Sequence, residues 1–289
     1  MEKIGMVGVG AMGSALLHRL RLAGETVLTY DIAPEAQDRA RAMDASVAES
    51  SAAVARASTI IDVVVRTEED VVAATLGPGG VLEGAAPGTL VLLHSTILPR
   101  TTRKVAAAAD ARGVHVIDAC MVGVPAVVRA GNLNFVVGGP PELFERAKPH
   151  LLKMSQAAHH VGPLCSGNIA KLIKNMTTGA EALILEEAVR IGAAGGLAPR
   201  DTLALFKQVY SGTVLNRWET AFVFEDGKLP RPPGRGNLYE KDIPLAVALA
   251  HDLGVMAPIA EALRAAGERA LAAEGVLQAA SGVPGSPAE

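Results

Sequence analysis

Between Lys3 and Asp31 the chain reads as a strand, a glycine loop, a helix and a second strand, in that order. Lys3–Val7 (KIGMV) is a short apolar run of strand type. It leads into Gly8-Val9-Gly10-Ala11-Met12-Gly13, and then into an amphipathic run from Ala15 to Leu22. Gly8 permits a tight turn, Gly10 lets the backbone approach a pyrophosphate, and Gly13 lets helix and strand pack closely. Ala11 and Met12 open the helix, whose free N–H groups and positive dipole end suit phosphates. The second strand, Thr26–Tyr30 (TVLTY), ends at Asp31. A carboxylate there hydrogen-bonds the ribose hydroxyls of NAD and repels the extra phosphate of NADP. No arginine follows at once, since Arg39 and Arg41 fall in the next helix. The cofactor expected is NAD, with NADP second.

Strand and helix go on alternating. Thr59–Val65 is an almost continuous apolar run, as a strand buried on both faces requires. Thr89–Leu93 is the next strand and ends at His94-Ser95-Thr96. Ligands bind beyond the carboxyl ends of parallel strands, so Val65, Arg66, Ser95 and Thr96 are candidates for the wall of the site. Pro99 opens a helix reaching Ala109, and Val114–Ile117 forms a strand that ends at Asp118. Residues 118–139 read as a loop broken by Gly123 and Pro125, with one further strand at Asn134–Val137. A glycine loop after a strand end can present backbone N–H groups to a carboxylate. A helix at Glu142–Leu152 and a strand near Ala158–Val161 complete the sheet.

After Gly162-Pro163 only helices follow, which places the domain boundary near residue 163. The expected architecture is α/β: a Rossmann-type doubly wound sheet over 1–163, then an all-helical domain over 164–289. The helices expected there are a long one from Ser166, then Pro199–Tyr210, Val214–Phe224, Tyr239–Leu253 and Ala257–Ala273. A surface loop at Glu225–Asn237 and a frayed tail over 275–289 follow from their Gly and Pro content. In the long helix, Ile169, Leu172, Ile173, Met176, Ala180, Leu183 and Ile184 recur at helical spacing and predict its buried face. Asn168, Lys171, Asn175 and Thr178 line another face, with Lys171 one turn below Asn175. A cation beside an amide can grip a substrate oxygen and move its proton.

Net charge is −3 with both signs interspersed, which argues against nucleic acid or an anionic membrane surface as partner. No uncharged apolar run reaches about eighteen residues, and the start shows no signal-peptide build, so the cytoplasm is expected. Cys120 and Cys165 lack metal-ligand spacing and read as buried thiols; no metal site is expected. His159 and His160 read as the end of a strand.

Four segments resemble the β-hydroxyacid dehydrogenases, the family of 3-hydroxyisobutyrate dehydrogenase and tartronate semialdehyde reductase. They are GVGAMG at 8–13, DACMVGVPAVVRAGNLNFVVGG at 118–139, SGNIAKLIKNM at 166–176 and KDIPLA at 241–246. STILP at 95–99 resembles the family's stretch after the fourth sheet strand. The resemblance implies hydride transfer to NAD or NADP and a helical domain that forms a homodimer or homotetramer. It puts the catalytic lysine at Lys171, its supporting asparagine at Asn175 and the nicotinamide-side hydroxyl at Thr96. It also puts a cofactor-closing lysine at Lys241, with Asp242 in the same motif, and the contact for a substrate carboxylate at the backbone N–H groups of Val122, Gly123 and Val124. Two departures stand out. Val122 occupies the place of the family's usual substrate-loop serine, and Lys174 that of the first asparagine of its paired N-N. The substrate end can therefore be more apolar than is usual.

The activity expected is reversible oxidation of a small β-hydroxy acid or related hydroxy compound to its aldehyde or ketone, with Lys171 as general acid–base. Enzymes bring lysines to about pKa 7–8 for such work by burial or a nearby cation, the roles expected here of a closed cleft and of Lys241. Two alternatives are an imine reductase on the same scaffold and a non-catalytic dinucleotide-binding protein. Retention of Lys171 and Asp31 weighs against the first, since the resemblance implies that relatives of that activity lose the lysine and prefer NADP; Lys171, Asn175 and Lys241 together weigh against the second.

Overall fold

A computed structural model describes residues 2–194, 196–209, 236–254 and 256–281. The chain divides into two compact units, Met1–Lys171 and Leu172–Glu289.

The first unit is built on an eight-stranded sheet. Its strands are β1 (Ile4–Val7), β2 (Val27–Tyr30), β3 (Ser46–Val47), β4 (Ile60–Val63), β5 (Leu90–Leu93), β6 (His115–Val122), β7 (Asn134–Gly138) and β8 (Ala157–Gly162). Their spatial order is β3-β2-β1-β4-β5-β6-β7-β8. All neighbours run parallel except β6 and β7. Chain order reverses between β1 and β4, which is where an open α/β sheet opens its ligand crevice. β4 and β5 have no solvent face. Along β5, Leu90 and Leu92 enter one core, which includes Leu16, Leu17 and Leu151, while Val91 and Leu93 enter a second, which includes Val54, Val81 and Val105. Side chains alternate across a strand, so two buried faces require apolar residues at successive positions.

β6 runs on to Val122, past the expected end at Asp118. Residues 119–122 pair antiparallel with β7, and their buried side chains Ala119, Cys120 and Met121 suit an interior strand. Gly123 and Pro125 then end it, and a short helix (Pro125–Arg129) connects to β7. His159 and His160 lie within β8, and His160 stacks on Phe144.

The long helix, α9 counted along the chain, spans Ser166–Ala194. The two compact units divide within it, between 171 and 172. Its burial follows the amphipathic expectation only in part: Leu172 is buried and Met176, Ala180 and Leu183 pack against a hydrophobic cluster around Tyr239 and Ile243. Asn168, Asn175 and Thr178 are buried, whereas Ile173 and Ile184 are mostly exposed. In the second unit, helices follow at Pro199–Val209, Ile243–Asp252 and Pro258–Ser281. The last of these continues past Gly275, through residues expected to fray. A π-helical turn, Gly236–Asp242, leads into the helix at Ile243. The helix expected at Val214–Phe224, most of the loop at 225–237 and the end of the tail lie outside the described residues.

One polar cluster sits inside the sheet's packing. Asp62 on β4 is fully buried, its Oδ1 2.8 Å from His94 Nε2 and its Oδ2 2.8 Å from His150 Nε2. His94 Nδ1 lies 2.7 Å from the Ala119 carbonyl. Both ring nitrogens of His94 thus face acceptor oxygens. Burial pushes the Asp62 carboxyl upward, but the charge and hydrogen bonds of His150 and His94 outweigh it and hold Asp62 well below its ordinary 3.8. A depressed carboxyl pKa gives stability that is present above the ordinary value and lost as pH falls through the folded one. Urea unfolding should therefore show stability falling below about pH 4, with Asp62→Asn flattening that acid limb. Removing the carboxylate altogether (Asp62→Ala) should cost about 3–5 kcal/mol at pH 7.

Candidate active site

The glycine loop follows β1 at the point where strand order reverses. Gly8 has φ 96°, in the left-handed region, and a Cβ there would lie 2.2 Å from the Val64 carbonyl oxygen. A Cβ on Gly13 would lie 2.1 Å from the Gly8 carbonyl oxygen, so the first helix (Ala11–Leu22) packs against its own strand through that absence. Gly10 differs: a Cβ there meets nothing within 4 Å. The fold needs no glycine at position 10 for space, and the room is what a pyrophosphate takes. Ala11 is exposed at the mouth of the loop, and Met12 packs against the core.

Asp31 follows β2. Its Oδ2 accepts the Val9 N–H at 2.6 Å and its Oδ1 accepts the Ala33 N–H at 2.9 Å. These bonds hold the carboxylate against the loop and leave lone pairs on both oxygens for ribose hydroxyls. Arg39 Nη2 reaches 3.5 Å from the Val9 carbonyl, so a guanidinium also leans on this loop. The residues present fit a dinucleotide: an open glycine, a helix N-terminus and an anchored carboxylate.

Val65 and the exposed Arg66 lie just beyond β4, as Ser95 and Thr96 do beyond β5. Ser95 is buried and its hydroxyl donates to the Val65 carbonyl at 2.6 Å, tying the two strand ends together. That proton is committed to the scaffold. Val122 closes β6 opposite Asn134, so Gly123 and Val124 are the first residues beyond the ladder. A Cβ on Gly123 would come within 3.2 Å of Leu133 and Val127 side-chain atoms, and Val124 stands largely exposed.

Lys171 is half-buried on α9, within the first unit. In the second unit, Asn175 Nδ2 donates to Asp242 Oδ2 at 2.7 Å, and Lys241 Nζ lies 2.9 Å from Asp242 Oδ1. A carboxylate only accepts, so this bond fixes which end of the Asn175 amide faces Asp242 and turns its oxygen elsewhere. The π-helical turn brings Lys241 and Asp242 to Asn175. Its Tyr239 is buried and donates its hydroxyl to the Gly179 carbonyl at 3.1 Å.

Sequence reasoning passed over a network at the start of α9. The Cys165 carbonyl accepts the first helical bond, from Ile169, so Cys165 is the N-cap residue and Asn168 the third residue in. Asp118 on β6 takes both N–H groups, Cys165 on Oδ1 and Asn168 on Oδ2, each at 2.7 Å. The Asn168 side chain accepts from the Thr102 hydroxyl at 2.7 Å and its Nδ2 lies 3.4 Å from Cys120 Sγ. Burial pushes the Asp118 carboxyl up to about 6, against the pull of the backbone N–H bonds. Burial, and then the Asp118 charge, push the Cys165 thiol up to about 11. Asn168 was visible in the polar row; Asp118, at the end of an apolar run, gave no such signal. Both cysteines are buried free thiols. Among the described residues no group of three or more metal-ligating side chains occurs, and no helix is long and apolar enough to cross a membrane.

A Rossmann-type unit with this loop and carboxylate, joined to a helical unit, defines the class of NAD(P)-dependent oxidoreductases. Residues 3–162 match the NAD binding domain of 6-phosphogluconate dehydrogenase. A 3-hydroxyisobutyrate dehydrogenase of Pseudomonas aeruginosa is 31% identical over 271 residues, covering 90% of this chain and 89% of the relative. An NAD-dependent L-serine dehydrogenase of the same organism is 32% identical over 253 residues, covering 85% and 84%. The structure of Mycobacterium tuberculosis 3-hydroxyisobutyrate dehydrogenase with L-serine superposes with a TM-score of 0.83 at 26% identity, over 94% of each chain. The chain belongs to the β-hydroxyacid dehydrogenase family, and it is an NAD(P)-dependent dehydrogenase acting on a hydroxyl carbon.

The glycines give a paired test. Gly13→Ala should destabilise the fold by about 1–3 kcal/mol in thermal unfolding, because the added methyl meets backbone. Gly10→Ala should leave the melting temperature unchanged while weakening NAD binding about tenfold or more by calorimetry, a loss of ~1.4 kcal/mol.

Proposed function

We propose that this enzyme interconverts a small β-hydroxy acid, or a related hydroxy compound, and its aldehyde or ketone, with NAD preferred. NAD, when bound at the glycine loop, supplies the acceptor for the hydride. The observation that carries the reading is Lys171 itself: a half-buried amine on α9, in the same compact unit as the glycine loop and Asp31, three residues beyond Asn168, whose N–H is bonded to the sheet. In oxidation the neutral amine takes the proton of the substrate hydroxyl as the C–H hydride departs. In reduction the ammonium returns that proton to the carbonyl oxygen. Asn175 orients the substrate hydroxyl through the amide oxygen that its bond to Asp242 leaves over. Lys241, paired with Asp242, closes over the cofactor, and Thr96 meets the nicotinamide side. Ser95 acts through its grip on Val65.

The relatives support the substrate class. 3-Hydroxyisobutyrate and L-serine both carry a hydroxyl on the carbon β to a carboxylate. The backbone at Val122, Gly123 and Val124 is the proposed contact for the acid group. The Val122 isopropyl group makes that wall apolar, which favours a substrate less polar than L-serine. Asp31, held by two N–H groups beside the loop, supports NAD over NADP through repulsion of a 2′-phosphate. On the second unit Ile184, Leu205, Val209, Met256 and Ile259 stand exposed, and a second copy of the chain is the proposed cover.

Turnover of 3-hydroxy acids, their semialdehydes and cyclic imines, followed by NADH and NADPH absorbance, tests the whole reading. Activity on the hydroxy acids with NAD is expected; turnover of the imines alone overturns it. Lys171→Ala should lower kcat by about 10²–10⁴-fold while NAD affinity by calorimetry is kept.

A further inference from the structure

A helix start normally satisfies its first N–H groups with its own side chains. In a capping box the N-cap side chain accepts from the third residue and that residue's side chain accepts from the N-cap N–H. Here neither side chain does so. The Cys165 thiol faces the Pro99 carbonyl at 3.4 Å, and the Asn168 amide is engaged by Thr102 and Cys120. One carboxylate from another element fills both roles, with Asp118 accepting the N-cap N–H and the third-residue N–H together. The approach is close on every side. A Cβ on Gly138 would lie 2.6 Å from Asp118 Oδ1, and one on Gly167 2.8 Å from its Oδ2. Cys165 itself has φ 82°, a left-handed conformation that a non-glycine residue adopts only under constraint.

We propose that Asp118 is a positioning residue for the reaction, seating the first turn of α9 on β6 and so fixing the place from which Lys171 reaches the substrate. The proposal rests on Lys171 as the proton-transfer group. From Asn168 to Lys171 the helix rises only about 4.5 Å, too little to absorb a shift at its start. A purely stabilising role is a poor account of this carboxylate. Its raised pKa means that the ionised form is less favourable folded than unfolded, so between the ordinary value of 3.8 and about 6 stability falls as pH rises. What the ionised form supplies is geometry. Protonated, it turns one acceptor oxygen into a donor that faces an N–H, and the bond to α9 on that oxygen is lost. Facing it are the N–H groups of Cys165, Gly167 and Asn168; the Cys165 thiol lies at the helix start, with Arg103 of the helix that Pro99 opens beside that thiol, and Gly138 on β7.

The test uses the full chain and Asp118→Asn, which keeps the size and one acceptor. Hydrogen exchange of the segment 164–170, corrected for the intrinsic pH dependence, should show protection in the wild type that falls below about pH 6. In the variant that protection should be low at every pH. Turnover is followed in the reduction direction, where Lys171 as ammonium contributes only an alkaline limb. The wild type should show an acid limb near pH 6. The variant should lose that limb, with kcat lowered by about 10²-fold and KM for NADH unchanged, as a misplacement near 1 Å does. Equal protection in the two proteins overturns the proposal, and so does an acid limb that survives in the variant. A wild type that turns over nothing in the panel overturns the reading of Lys171 and the catalytic part of this proposal with it. The exchange measurement then still decides whether Asp118 seats the helix.

Discussion

The joint on which this molecule depends is the one between β6 and the start of α9. A strand interior and a helix N-terminus are both short of partners, the strand for its buried carboxylate and the helix for its first N–H groups. Asp118 answers both needs with two bonds of 2.7 Å. The helix that leaves this joint carries Lys171 within the first unit, six residues beyond its N-cap Cys165. Glycines at 138 and 167 are what allow the carboxylate and the helix backbone to approach so closely.

The sheet buries two carboxylates, and their opposite shifts come from their partners. Asp62 faces two histidines and is held below the ordinary carboxylate range. Asp118 faces backbone N–H groups, dipoles rather than charges, and burial wins. The first arrangement locks β4, β5 and the helix carrying His150 together. The second tolerates a costly ionised group for the sake of direction. A buried charge paired with charge makes a stable scaffold, and a buried charge paired with dipoles fixes an orientation.

The polar row of α9 shows the same economy of partners. Asn168 gives its oxygen to Thr102 and its nitrogen to Cys120, and Asn175 gives its nitrogen to Asp242. Isoleucines at 173 and 184 are left exposed instead. A helix sorts its faces by what can be satisfied inside, and amides with assigned partners are satisfied as fully as alkyl groups.

The alternation of strands and helices and the glycine loop with Asp31 were legible in the chain. They depend on local rules: alternating burial, turn chemistry and the size of a missing side chain. The family was legible too, because short motifs in fixed order survive without long-range geometry. The continuation of β6 to Val122 was not, since it is the antiparallel partner β7 that holds those residues in the sheet. Nor was the burial of the polar row, nor the meeting of Asp118 with residues 165 and 168, nor that of Asp62 with His94 and His150. Each joins groups distant in sequence, and hydrogen-bonding and ionic partners across such distances are chosen by packing, which only the tertiary structure decides.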